Sequence, residues 1–100
     1  MSEFEYQDSL QLEDETKEPP KYKVILINDD YSTFEFVTYI LKKVFFKTQK
    51  DAEQITLDVH KKGFGVCGIY DKEIAETKVL VVHQLAEEAG YPLRCEMEEE

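Results

Sequence analysis

Eight residues, KYKVILIN at positions 21–28, constrain the fold more than any other stretch of the chain. The inner residues Val24, Ile25, Leu26 and Ile27 are apolar without a polar interruption, the pattern of a central strand covered on at least one side. Punctuation marks both ends. Pro19-Pro20 blocks helix and biases the preceding residue to extended geometry, and Asn28-Asp29-Asp30 supplies three strong turn formers. A strand this apolar needs flanking strands and a covering layer, so the rest of the chain must provide them.

The remaining segments fit that demand. Ser32-Thr33-Phe34-Glu35 has the capping-box spacing, with Ser32 as the expected N-cap and Glu35 as its N3 partner. The helix it opens runs to about Phe46, with Phe34, Val37, Ile40, Leu41, Val44 and Phe45 forming one apolar stripe. A second helix starts near Thr48, where Thr48 and Asp51 repeat the capping spacing; Ala52, Ile55 and Val59 form its stripe and Gly63 stops it. FGVCGIY at 64–70 reads as a strand weakened by glycines. Asp71 caps a third helix through Ala89, with Ala75, Val79, Val82 and Ala86 facing inward, and Gly90-Tyr91-Pro92 closes it. A last short strand covers 93–97. The order β-α-α-β-α-β predicts a small α+β domain, a three-stranded antiparallel sheet with three helices packed on one face.

Charge divides the chain further. Residues 1–20 hold seven acids against one base, and the last five residues hold four acids and no base. Residues 21–95 therefore carry 11 acids and 11 bases, although the whole chain has a net charge of −10. The expected organisation is an acidic flexible arm over 1–20, a core domain over 21–97 and an acidic tail over 98–100. A neutral body excludes a generally basic nucleic-acid binder, because phosphate neutralisation needs a surplus of Lys and Arg on one face. The longest apolar runs are four residues, Val24 to Ile27 and Val79 to Val82, against roughly 20 for a membrane span. No basic and apolar leader pattern follows Met1, and Cys67 and Cys95 make no disulfide framework, so a cytoplasmic, reducing setting is expected. A core of about 75 residues leaves no room for a deep dry cavity beside its own packing, and a shallow surface pocket is the expected limit. Nothing in the sequence demands more than a monomer.

Few residues offer chemistry. Asn28, Asp29 and Asp30 are ordinary turn residues, and carboxylates at a helix start are favoured by its dipole. Yet Phe34, Val37 and Ile40 follow on the next helix, and apolar surface beside two acids suits a ligand with a positive group and an apolar tail. His60 reads as a surface histidine near a helix C-terminus, and His83 is equally unremarkable. No HxxxH, HExxH or grouped Cys/His set is present, and neither is a GxSxG, P-loop or GxGxxG motif, so neither a metal nor a cofactor is expected. A Cys67–His60 nucleophile pair is conceivable, but a strand cysteine is more often a small core hydrophobe. Glu73, Glu76, Thr77 and Lys78 present alternating charge on one exposed turn, either a solvated face or a docking surface for a protein partner.

Together, Pro19-Pro20, YKVILINDDYSTFEFV (22–37), LDVHKKG (57–63), CGIY (67–70), AETKV (75–79) and PLRC (92–95) resemble the ClpS family, adaptors of the bacterial ClpAP protease that recognise N-degrons. The resemblance covers roughly residues 19–97. It implies a non-enzymatic adaptor that captures proteins beginning with Leu, Phe, Tyr or Trp and hands them to the ClpA unfoldase, with the arm taking part in delivery. It implies that Asn28, Asp29 and His60 hold the free α-ammonium group, with Asp30 as pocket rim. Phe34, Val37, Thr56, Val59 and Leu93 would line the side-chain pocket, with Ser32 near its mouth. Glu73 and Lys78 match the family's ClpA-docking face, with Glu76 and Thr77 nearby. Two positions depart from the family's pattern: Phe34 and Thr56 stand where methionine is common. The same element order also resembles the C-terminal domain of the ribosomal stalk protein, a docking module with no use for an ammonium trap. A small hydrolase using Asp29, Asp30 and His60 is a third reading, which lacks an oxyanion-hole motif.

Overall fold

The computed structural model describes residues 18–100, so the acidic arm expected at 1–20 lies almost wholly outside the described residues. The elements follow the predicted order: β1 (Lys21–Ile27), α1 (Phe34–Phe45), α2 (Gln49–Lys62), β2 (Phe64–Asp71), α3 (Lys72–Ala89) and β3 (Arg94–Glu99). The apolar strand β1 is central, in the order β2-β1-β3, and pairs antiparallel with both neighbours. Val24 and Leu26 alternate toward the helices and lie fully buried. They meet Val37, Ile40 and Leu41 of α1, Val59 of α2 and Val82 of α3 in one core. Ile25 points the other way but is only 7 % exposed. On β2 the partner of Val24 is Gly68 and that of Ile25 is Val66, leaving Cys67 as the extra residue of a β-bulge.

Helix boundaries follow the capping chemistry, with two corrections. Thr48 caps α2 by accepting the Asp51 N–H at 3.2 Å, and Gly63 ends it in the left-handed conformation at φ 93°. For α1 the cap is Thr33 rather than Ser32: its Oγ1 accepts the Phe36 N–H at 3.0 Å. The Asp29 carboxylate has already drawn in the N–H groups of Tyr31 and Ser32, extending the turn through Ser32 and burying that side chain. The next hydroxyl along therefore does the capping. Asp71 occupies the N-cap position of α3 without a side-chain capping bond. Its carboxylate instead accepts from Lys21 Nζ at 2.6 Å, an exposed ion pair that raises the lysine pKa and contributes little to stability.

The last strand is also longer than expected. Instead of ending at Met97 it runs through Glu99, so the acidic residues at 98 and 99 belong to the sheet. Glu98 faces Lys23 and Glu99 faces Tyr22, and the Glu100 N–H donates to the Lys21 carbonyl. The partner strand decides this length: β1 begins at Lys21 and its backbone groups need pairing there, while Lys23 opposite Glu98 offsets the acidic repulsion. On the outer side of β3 the Cys95 N–H donates to His83 Nε2 at 3.2 Å, giving that histidine a structural role.

The revised cap is testable. Thr33→Ala is expected to cost about 1 kcal/mol in urea unfolding, whereas Ser32→Ala, whose hydroxyl makes no capping bond, costs none of it. Equal losses in the two variants would contradict the assignment.

Candidate functional site

The β1–α1 turn and the end of α2 meet at one place. The Asn28 N–H donates to the Gly63 carbonyl at 2.9 Å, tying the turn to the residue that terminates α2. His60, one turn earlier on α2, is thereby brought beside Asp29, whose charge it influences. Residues of one loop and one helix end are thus brought together although about 30 positions separate them in sequence.

Asp29 is the centre of it. Its Oδ2 accepts two backbone N–H groups, from Tyr31 and Ser32, both at 2.8 Å. Its Oδ1 is buried and has no hydrogen-bond partner among the described residues, and the same is true of Ser32 Oγ. Burial works against the ionised form. The Ser32 hydroxyl, close to the carboxylate though outside hydrogen-bonding geometry, the two N–H groups and His60 outweigh it, so the carboxyl sits below its ordinary pKa. A charged oxygen shielded from solvent and left unpaired costs stability unless something arrives to satisfy it.

His60 contributes a second acceptor. Its Nδ1 lies 3.0 Å from the Thr56 carbonyl. A carbonyl can only accept, so Nδ1 carries a proton, and in the uncharged tautomer Nε2 is the nitrogen that accepts. The ring also meets the Phe34 ring, with centroids 5.9 Å apart and planes tilted 33°. Asn28 and Asp30 are exposed on the turn. The site therefore offers an amide, a carboxylate oxygen and an imidazole nitrogen beside an aromatic wall.

Val37, Thr56, Val59 and Leu93 are at most 3 % exposed, and Phe34 is half-buried. Thr56 Oγ1 donates to the Ala52 carbonyl at 2.8 Å, using its only proton, so the Thr38 hydroxyl 3.0 Å away donates to Thr56. Thr38 was hidden in the sequence because it lies beside the α1 stripe; only the second buried threonine across the seam reveals the pair. From Phe34 a groove of about 640 Å³ continues along the α1–α2 seam past Thr38 and Tyr39 to Lys42, Gln49 and Glu53.

The remaining candidates lie elsewhere. Glu73, Glu76 and Thr77 are exposed on the first turns of α3. Lys78 is only half exposed: its Nζ donates to the Val44 carbonyl at 2.8 Å and lies over the rings of Phe46, Tyr70 and Phe45 at 5.0, 5.3 and 5.8 Å. Cys67 and Cys95 are free and buried; burial raises both thiols, Cys95 to about 12 and Cys67 further still, which leaves no thiolate for a Cys67–His60 pair. Among the described residues no three His, Cys, Asp or Glu side chains cluster as metal ligands.

The family model described as ATP-dependent Clp protease adaptor protein ClpS matches residues 17–96. The chain belongs to the ClpS family. ClpS of Desulfotalea psychrophila is 53 % identical over 94 residues, covering 93 % of this chain and 92 % of that protein. ClpS of Lawsonia intracellularis is 50 % identical over 97 residues, 97 % of this chain and 89 % of that one. Among solved structures, ClpS2 of Agrobacterium tumefaciens bound to L-phenylalaninamide superposes with a TM-score of 0.81 at 40 % identity, over 83 % of this chain and 100 % of that one. The fold is thus the ClpS fold, and the chain is an adaptor of the Clp protease. That membership decides against the ribosomal-stalk reading, and relatives named as adaptors fit a non-enzyme.

The electrostatics predict a pH signature. A carboxyl held below its ordinary pKa stabilises the fold above the unfolded value of about 3.9, and that contribution is lost as pH falls through the folded value. Asp29→Asn retains an oxygen for the two N–H groups but loses the charge. The wild-type advantage over this variant in urea midpoint is therefore expected to be full at pH 7 and to shrink by pH 3; an advantage that grows on acidification would contradict the assignment.

Proposed function

We propose that this ClpS chain binds the free N-terminus of proteins beginning with Leu, Phe, Tyr or Trp and delivers them to the ClpA unfoldase of ClpAP. The observation that carries the reading is Asp29 Oδ1, buried, charged and unpaired, with His60 on the adjoining helix end. An α-ammonium group has three N–H donors and a positive charge. Asn28 Oδ1, Asp29 Oδ1 and His60 Nε2 accept those three, and the bond to Asp29 is charge-assisted. Acetylation or a preceding residue removes both charge and donors and leaves Asp29 Oδ1 buried without a partner, which is the source of discrimination. The ligand of the Agrobacterium relative, L-phenylalaninamide, carries a free amine beside an apolar side chain.

The side chain of the first residue goes to the surface of Val37, Thr56, Val59 and Leu93, with Phe34 swinging off His60 to admit it, while Ser32 and Asp30 form the rim. Burying a Leu or Phe side chain there contributes roughly 1.5–3 kcal/mol. Phe34 is stiffer than methionine, so exclusion of β-branched first residues persists while the ranking among Leu, Phe, Tyr and Trp shifts. Docking to ClpA uses Glu73 and Lys78, with Glu76 and Thr77 nearby. The adaptor acts as a cytoplasmic monomer.

Fluorescence anisotropy with a labelled peptide beginning with Leu tests the reading. The acetylated peptide and one with Gly in front are expected to bind at least about 100-fold more weakly, and Asp29→Ala to weaken the free peptide by about 10-fold or more, since a hydrogen bond to a charged group contributes about 1.5–3 kcal/mol. Equal binding of free and acetylated peptides contradicts it. In the same assay Leu binds more tightly than Ile, and comparable affinities would overturn the role of Phe34.

A further inference from the structure

Phe46 breaks two rules at once. It ends α1 in the left-handed conformation, φ 57° and ψ 33°. A side chain there crowds its own backbone, so glycine or asparagine ordinarily fills the position. The other described residues with positive φ are Gly63 and Gly90, each ending a helix. The Lys47 N–H returns to the Leu41 carbonyl at 3.1 Å, the closure that glycine would make without strain. The Phe46 ring is also 81 % exposed, more than any other large apolar side chain among the described residues.

The left-handed turn closes the helix, but the exposed ring on it does not serve the fold. A ring left in water contributes almost no burial. It is nevertheless held in place: Lys78 Nζ lies 5.0 Å from its centroid while donating to the Val44 carbonyl. An aromatic side chain fixed on the surface before its partner arrives has the chemistry of an interface anchor, because little order remains to be imposed on binding.

The charge around it indicates what it meets. KKVFFKTQK at 42–50 carries four lysines and no acid in a chain whose net charge is −10. Lys43 and Lys50 are exposed, and Lys78 adds a further cation under the ring. The complement of such a patch is an apolar socket rimmed by carboxylates. We infer that Phe46 is the apolar anchor by which this adaptor docks on its Clp unfoldase, seated in such a socket with the lysines of residues 42–50 around it. Lys78 is then a positioning residue for the ring. The inference rests on the docking to ClpA through Glu73 and Lys78 proposed above, and adds a residue on a different helix.

Phe46→Gly separates anchor from fold, because it removes the ring and relieves the backbone together. The full chain, labelled at its C-terminus, is titrated with nucleotide-bound ClpA hexamer and followed by anisotropy. Phe46→Gly is expected to weaken ClpA binding by about 10-fold or more, the size of a hot-spot loss. It also raises Tm by about 4 °C, and Leu-peptide affinity stays within about twofold because the trap lies beyond additive coupling distance. Phe46→Tyr keeps the ring and binds ClpA like wild type. Glu73→Ala reports on the docking face itself. If Glu73→Ala weakens binding while Phe46→Gly does not, the anchor is overturned and the docking face stands. If neither weakens it, or wild type does not bind ClpA, the docking reading fails and the anchor with it. Self-association of wild type in sedimentation that Phe46→Gly abolishes would show a second copy on the ring and overturn the inference.

Discussion

The two oxygens of Asp29 set the terms for the whole site. Oδ2 is engaged by the Tyr31 and Ser32 N–H groups, which shapes the turn, displaces the helix cap to Thr33 and aims α1 across the sheet. Oδ1 is left over inside the same turn, unpaired. One side chain thus performs a structural task with one atom and keeps the other free. The tie from Asn28 to Gly63 completes the arrangement by placing the end of α2, and with it His60, beside the turn.

Recognition then follows from ordinary hydrogen-bond accounting. A small domain cannot enclose a ligand, and the proposed reading of a chain end does not require it to. The Nδ1–H bond of His60 to the Thr56 carbonyl fixes the tautomer that leaves Nε2 as an acceptor. Val37, Val59 and Leu93 belong to the same packed core that covers β1, so the surface proposed to receive a side chain is part of that rigid core. The protein departs from local rules at Asp29 Oδ1, Ser32 Oγ and Phe46, the positions on which the proposed interactions rest. Such departures concentrate at functional positions because selection for stability alone would remove them.

Much of this was legible in the chain. The unbroken VILI run marked the central strand, Thr48 and Gly63 marked both ends of α2, and the NDD turn next to an apolar helix face marked the candidate site. What escaped depended on partners distant in sequence. Ser32 and Thr33 are equally good caps on paper, and the Asp29 side chain chooses between them. Asp71 is drawn from its capping position by Lys21, fifty residues earlier. β3 extends to Glu99 because β1 offers pairing there, whatever its own acidic composition prefers. Thr38 and Lys78 looked like surface residues until the packing gave each a buried partner. Spacing along one element predicts that element; contacts between elements require the fold.

The central claim, that the unpaired Asp29 oxygen and His60 receive a chain's first amine, is tested most directly by a crystal structure of the protein with L-leucinamide. The account predicts the ammonium nitrogen within about 3 Å of both Asp29 Oδ1 and His60 Nε2, with the Phe34 ring turned away from His60 and the leucyl side chain behind it. A bound ligand whose amine faces solvent or lies in the α1–α2 groove, leaving Asp29 Oδ1 unpaired, would contradict it.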